Sequence, residues 1–301
     1  MNPAIPAMLF TQAIWGFAPV ALRYLSVSLG PADSLILRYG LVALAYVPIL
    51  LASGRWRVGM ADMPRLALCA ATGIFGYNLG SSFGFAHVGA GLGSLIIGTQ
   101  PILIALFAAL LGEEKIRRET ILGIVLAFAG TLILFAPDLA QGQLGTLKGA
   151  LMIFAAGLCW TAYTLISRPL IRRHGSVAVT GWTTILGVPP LLALLWHGEA
   201  PHNIIMMSPM QWLAMAYLSV LSTFLASITW NYAIARMPAA VSGAFLYLVP
   251  VIAVISGALT LGEPITPAIL GGGLMVLAGV SLAQNGPVLL KRLITRGNEN
   301  T

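Results

Sequence analysis

The chain has 301 residues, of which 58% are hydrophobic and only 8% are charged, and its formal net charge is +7. A soluble domain carries about 25% charged residues, so this composition excludes a water-soluble domain and places most of the surface in lipid. Because the bilayer core holds no water to satisfy backbone groups, long apolar stretches there predict helices rather than open strands.

Ten apolar runs approach the length of about 20 residues that a helix needs to cross a bilayer. They cover residues 5–25, 34–52, 66–86, 92–111, 120–136, 147–166, 177–195, 210–234, 239–261 and 268–283. Cys69 and Cys159 both fall inside these runs, which predicts small apolar fillers and no disulfide. We therefore predict an all-α polytopic membrane protein with ten transmembrane helices.

The basic residues are distributed unevenly between the two faces of this topology. Of the 16 lysines and arginines, all but three fall in loops and the tail on the face that carries both termini. The opposite face has only Arg23 and Lys148, and Arg38 lies within a span. Loops rich in lysine and arginine stay in the cytoplasm, so both termini are predicted to be cytoplasmic. The positive charge then reflects topology and does not indicate a nucleic-acid partner.

One pattern occurs twice along the chain. Its first copy is Pro101…Leu111-Gly112-Glu113…Gly123…Ala129-Gly130, and its second is Pro250…Leu261-Gly262-Glu263…Gly272…Ala278-Gly279. With five spans in each half, the second copy is upside down relative to the first, and inverted repeats are typical of secondary transporters. We predict a first repeat at 1–137, a linker at 138–146, a second repeat at 147–286 and a cytoplasmic tail at 287–301. The carboxylates of the two copies are expected in solvated turns on opposite faces.

Several features suggest where the helices pack and bend. Gly76, Gly80 and Gly84 recur every four residues on the third span, which predicts close packing on another helix and allows sliding. Pro101 and Pro250 free backbone carbonyls and are candidate hinges. In the eighth span a polar stripe favours the lining of a cavity over contacts between helices. Its residues are Ser219, Thr223, Ser227 and Asn231.

Arg38 is the only charged residue placed within a predicted span. An intramembrane charge is a functional hypothesis in its own right. However, Arg38 lies near the end of the second span, where a long side chain can reach the interface and pair with Asp33 or loop carbonyls. We favour this second interpretation.

The polar and aromatic groups near mid-span come from both halves and are uncharged. They are Trp15, Tyr77, Asn78, Gln100, Trp160, Tyr163, Trp182, Trp230, Asn231 and Tyr247. Aromatic rings offer apolar area, and amides and phenols orient a polar ligand. This set suits an uncharged or zwitterionic molecule. No span has a carboxylate or lysine near its middle, which favours facilitated movement over proton-driven transport. We predict no catalytic residues, metal or cofactor.

The repeated patterns, together with Trp15 and Arg38, resemble the drug/metabolite transporter superfamily in its EamA-type ten-helix branch. The resemblance covers nearly the whole chain. It implies two inverted five-helix repeats and a carrier of small metabolites in the bacterial inner membrane. Within that superfamily the chain is similar to exporters of aromatic and other neutral amino acids.

Other functions remain open alternatives. One is a broad-specificity exporter of drugs or purine metabolites. A nucleotide-sugar antiporter is disfavoured because the mid-span set is uncharged. A membrane-embedded enzyme would need a catalytic dyad or metal set at depth, and neither HExxH nor GxSxG occurs in the sequence. The expected partners are a small-molecule substrate and the lipid bilayer, for a monomer or a homodimer.

Overall fold

The computed structural model describes residues 3–110, 118–140, 144–194, 205–237, 245–246, 248–279 and 281–282. Over these ranges the chain forms ten main helices, numbered here in chain order, which confirms the predicted all-α architecture. Helices 1, 2, 5, 6, 7, 9 and 10 are Ala4–Ser28, Pro31–Ala52, Arg118–Ala140, Leu144–His174, Ser176–Leu192, Leu248–Leu261 and Pro267–Gly279. Helices 3, 4 and 8 are irregular.

Helices 3 and 8 each contain a π-helical segment, in which the backbone bonds skip one residue more than in an α-helix. Helix 3 consists of Met63–Cys69, the π segment Ala70–Gly76 and Tyr77–Phe85. Helix 8 consists of Pro209–Ala216, the π segment Tyr217–Leu225 and Ala226–Ile234. The last residues of the two π segments are separated by the same number of residues as Gly130 and Gly279. The irregularity therefore belongs to the repeated unit.

Helix 4 is divided into two parts, Ala90–Ile97 and Gln100–Leu110, with Gly98 and Thr99 between them. The second part begins at the middle of the span, where Pro101 has no backbone N–H and the backbone nitrogens of Ile102 and Leu103 donate to the Thr99 carbonyl oxygen.

The surface of the bundle is apolar, as a lipid environment requires. By length and composition, helices 1, 2, 6 and 8 can each cross a membrane. Large apolar side chains such as Leu44, Phe128 and Leu259 are exposed. In lipid these side chains contact acyl chains instead of water.

The two halves pack on each other through equivalent helices. Helix 1 packs on helices 8 and 9, and helix 6 packs on helices 3 and 4; helices 2 and 7, and helices 4 and 9, also pair. Each of these contacts between the halves therefore has an equivalent contact when the two repeats exchange roles.

Helices 5 and 10 pack through the glycines that define the repeat. A Cβ atom added to Gly130 would lie 2.7 Å from the carbonyl oxygen of Gly272, and one added to Gly279 would lie 2.6 Å from that of Gly123. The absence of side chains lets the two backbones touch. The repeated glycines therefore mark a contact between the two copies.

Helices 3 and 6 are in similarly close contact. A Cβ atom on Gly80 would lie 2.7 Å from the carbonyl oxygen of Met152, and one on Gly84 would lie 2.8 Å from that of Gly149. The glycines predicted to allow close approach on helix 3 pack on helix 6.

An ion cluster joins the start of helix 3 to the end of helix 6. The Asp62 carboxylate, just before helix 3, lies 2.7 Å from Nε2 of His174 and 2.7 Å from a terminal nitrogen of Arg173. The hydrogen bond from His174, and then the one from Arg173, holds the pKa of Asp62 below its ordinary value of 3.8. The cluster fastens the two halves together at the end predicted to be cytoplasmic.

Replacing Gly272 by alanine should destabilise the protein by about 1–3 kcal/mol, the usual cost of overpacking. The added methyl group would lie 2.8 Å from the Gly130 carbonyl oxygen. The measurement is the unfolding temperature of the purified protein in detergent. Gly271→Ala is the matched control, because nothing lies within 4 Å of its Cβ position, and it should leave the temperature unchanged or raise it. Equal losses from both variants would contradict the glycine contact.

Replacing Asp62 by asparagine should lower the unfolding temperature at neutral pH. A carboxylate with a lowered pKa stabilises the fold above its ordinary pKa of 3.8, and this contribution disappears as the pH falls through the folded-state value. The difference between wild type and Asp62→Asn should therefore be present at pH 7 and shrink below about pH 4. Arg173→Gln should behave similarly, whereas Arg172→Gln, on an exposed neighbour, should not. A difference that persists at low pH would rule out the ionic origin.

Candidate functional site

A cavity lies between the two halves and is lined by helices 1, 2, 3, 4, 6, 7, 8 and 9. Helices 5 and 10 contribute none of its described lining residues. Most residues predicted to bind substrate line it, namely Trp15, Tyr77, Asn78, Gln100, Trp160, Tyr163, Trp230 and Asn231. Trp182 does not; it packs against the apolar cluster that includes Trp160, Tyr163 and Trp230. Tyr247 falls outside the described residues.

Trp160 is the centre of an aromatic cluster on one wall of the cavity. The ring centroids of Trp15, Tyr77, Tyr163 and Trp230 lie 5.6, 4.9, 5.2 and 6.2 Å from that of Trp160. Edge-to-face and tilted pairs at such distances contribute about 0.5–1.5 kcal/mol each beyond area burial. The rings therefore hold one another in place and form a firm apolar surface that both halves build.

The π segments expose carbonyl groups that cavity side chains then satisfy. Asn78 donates both of its amide hydrogen bonds to the carbonyl oxygens of Gly73 and Ile74, each at 3.0 Å. Trp15 donates from Nε1 to the carbonyl oxygen of Ser222 in the other half, at 3.1 Å. The amide hydrogens of Asn78 are thus engaged by the protein itself.

Asn231 connects three helices at the cavity wall. Its side-chain nitrogen donates to the Tyr163 hydroxyl at 2.9 Å and to the Thr180 hydroxyl at 2.7 Å. It is fully buried, so these bonds fix the position of Tyr163 within the aromatic cluster. Two other members of its predicted stripe, Thr223 and Ser227, also line the cavity, whereas Ser219 does not.

Three buried donors on the cavity wall lack a hydrogen bond to the described part of the chain. These are the indole nitrogens of Trp160 and Trp230 and the side-chain nitrogen of Gln100. The Gln100 side chain lies close to the Tyr77 hydroxyl, but its nitrogen makes no contact of hydrogen-bond geometry with the described residues. Buried donors are normally paired, so these atoms are candidates for contact with a ligand.

Arg38 lines the same cavity, which differs from the favoured interpretation of the sequence. It is only 9% exposed and does not reach the interface. Its Nε donates to the Thr223 hydroxyl at 2.6 Å, and its guanidinium carbon lies 5.1 Å from the Tyr39 ring centroid. The site is therefore not the uncharged set that the sequence suggested. One sequence feature did indicate that Arg38 belongs to the site: it is the only charged residue within a predicted span.

The predicted hinge residues have different surroundings. Gly76, Gly80 and Gly84 pack on helix 6. Pro250 is buried, and its ring lies against Gly98, where helix 4 is interrupted. Pro101 is the second residue of the helix Gln100–Leu110. Movement at any of these positions stays a prediction.

Glu263 is not the solvated counterpart that the sequence suggested. Gly262, with a φ of 66°, ends helix 9. The Glu263 carboxylate then accepts hydrogen bonds from the backbone nitrogens of Ala90 at 2.7 Å and Gly91 at 3.1 Å. Carboxylates are favourable at a helix N-terminus, where backbone N–H groups have no partner. One half thus caps the first part of helix 4 in the other half.

The sequence matches the EamA-like transporter family twice, at residues 2–136 and at residues 147–284. Together the two matches cover nearly the whole chain. The chain belongs to the EamA-like transporter family. It is therefore a membrane transporter and not an enzyme.

Two relatives with names that refer to export or efflux agree with this assignment. A protein of Streptantibioticus cattleyicolor named "Probable terminal-alkyne amino-acid exporter" is 30% identical, over 94% of this chain and 93% of its own. A protein of Salmonella typhimurium named "Probable amino-acid metabolite efflux pump" is 28% identical, over 79% of this chain and 86% of its own. One solved crystal structure has a TM-score of 0.67, covers 97% of this chain and 99% of its own, and is 20% identical. This similarity to a solved structure concerns the fold alone.

Proposed function

We propose that this transporter exports small neutral or zwitterionic metabolites, above all amino acids with aromatic or other apolar side chains. The observation that carries the proposal is the aromatic cluster around Trp160, which both halves contribute to the wall of the cavity. Such rings offer a large apolar contact area and an attractive face to an ammonium group. The printed names of two relatives, which refer to amino acids, point the same way.

Transport is proposed to occur by alternating access around this cavity, without proton coupling. Helix 1 with helices 8 and 9 forms one unit, and helix 6 with helices 3 and 4 forms the other. Rocking between the two units would open the cavity to each side in turn. The described residues that line it include no carboxylate and no histidine to carry a proton. The bacterial inner membrane with both termini in the cytoplasm is part of the same proposal.

The Glu263 cap is proposed to hold the cavity closed at the end that the charge distribution predicts to be external. It joins helix 9 of one unit to helix 4 of the other. Opening at that end requires the carboxylate to leave the N-terminus of helix 4.

Flux through purified protein in liposomes tests the proposed function. Vesicles loaded with labelled phenylalanine, leucine or alanine should lose them at rates that an imposed proton gradient does not change. Trp160→Ala should reduce efflux about tenfold or more, because the substrate's apolar body loses the central ring on which it packs, and burying such a group contributes about 1.5–3 kcal/mol. The matched control is Trp212→Ala, since Trp212 is 42% exposed on helix 8, and it should transport normally. No efflux from wild-type vesicles would reject amino acids as substrates, and gradient-driven accumulation would reject the facilitated mechanism.

Removing the Glu263 carboxylate should favour the state that is open at the external end. Two hydrogen bonds to a charged group would be lost, at about 1.5–3 kcal/mol each, so Glu263→Ala should shift the open population by about tenfold or more. The readout is the distance between spin labels at the exposed positions His87→Cys and Ile265→Cys, in a background without native cysteines. Glu119→Gln, at the start of helix 5, is the control. An unchanged distance distribution in Glu263→Ala would show that the cap does not control opening.

A further inference from the structure

Arg38 brings a positive charge to the cavity wall, and no carboxylate is among the described residues that line it. Arg38 is 9% exposed, and its guanidinium contacts neutral groups, the Thr223 hydroxyl and the Tyr39 ring. The described cavity-lining residues include no aspartate and no glutamate. A buried arginine without an anionic partner is costly in a low-dielectric interior, so an anion that enters the cavity would be strongly favoured.

The guanidinium is held in place while much of it remains available. Nε donates to Thr223, and the Tyr39 ring lies beside the guanidinium carbon. Both terminal nitrogens are without a hydrogen bond to the described residues. Two parallel N–H groups on a fixed arginine match the two oxygens of a carboxylate.

The unpaired groups elsewhere on the wall are all donors as well. Trp160, Trp230 and Gln100 each present a buried nitrogen with no hydrogen-bond partner among the residues that the structure describes. A ligand that satisfies this wall must therefore supply acceptors and carry negative charge.

We propose that Arg38 is the anchor of a carboxylate-binding subsite in the cavity. The substrates are small monocarboxylates with an apolar body, zwitterionic amino acids among them, and the corresponding amides are poor ligands. The carboxylate binds Arg38 and the apolar body packs on the rings around Trp160. This inference rests on the proposed function and adds to it the group by which substrates are recognised.

The test compares ligands that differ only in the carboxylate. The probes are phenylalanine, 3-phenylpropanoate and the primary amide of each, and binding to the purified protein is followed by tryptophan fluorescence. In the wild type each acid should bind about tenfold or more tightly than its amide, the factor expected for a hydrogen bond to a charged group. In Arg38→Gln the acids should lose that advantage while the amides change little.

Two further variants keep the test decisive. Arg38→Lys retains the charge without the two parallel donors and should restore part of the preference for acids. Arg57→Gln makes the same change at an exposed loop arginine and should bind like the wild type. If Arg38→Gln fails to fold, the acid-to-amide ratio of the wild type and of Arg38→Lys still decides the matter.

The results distinguish failure of the carboxylate subsite from failure of the amino-acid substrate. Equal binding of acids and amides by the wild type overturns the subsite and leaves amino-acid transport standing. Binding of 3-phenylpropanoate but not of phenylalanine supports the subsite and overturns the amino-acid substrate. Binding of none of the four probes overturns both.

Discussion

The structure depends on one constraint, which is that polar groups inside hydrocarbon must find partners within the protein. Buried hydroxyls satisfy it locally, as Thr161 and Thr183 do by bonding carbonyl oxygens one turn earlier in their own helices. The π segments satisfy it through Asn78 and Trp15. Three buried nitrogens on the cavity wall, those of Trp160, Trp230 and Gln100, have no hydrogen bond to the described part of the chain. At this wall a ligand can supply the missing acceptors.

The pseudo-symmetry of the repeat is expressed in physical contacts as well as in sequence. Gly130 meets Gly272 and Gly279 meets Gly123, so a pair of equivalent contacts joins helices 5 and 10. The π segments of helices 3 and 8 end at equivalent positions. Both halves contribute side chains to the cavity, including Trp15 of helix 1 and Trp160 of the equivalent helix 6.

The fold was largely predictable from sequence because its signals are local. Apolar runs give helices, and a repeated pattern with five spans per copy gives inversion. Most of the aromatic set reached the cavity for the same reason. The failures involve partners distant in sequence: Arg38 meets Thr223 from the other half, and Glu263 meets Ala90 only after folding. Nothing in the sequence foretold the π segment that occupies the amide of Asn78, or the side of helix 7 on which Trp182 lies.

The inverted arrangement of the halves has a consequence for the direction of transport. Rotating the molecule so that the halves exchange places returns nearly the same scaffold, with its inner and outer ends interchanged. For the facilitative carrier proposed here, microscopic reversibility then requires that loading from either side lead to release on the other. Net flow is set by the solute concentrations on the two sides of the membrane. Export would therefore describe the metabolic state of the cell, which makes more solute than it uses, and would not be a property fixed in the protein.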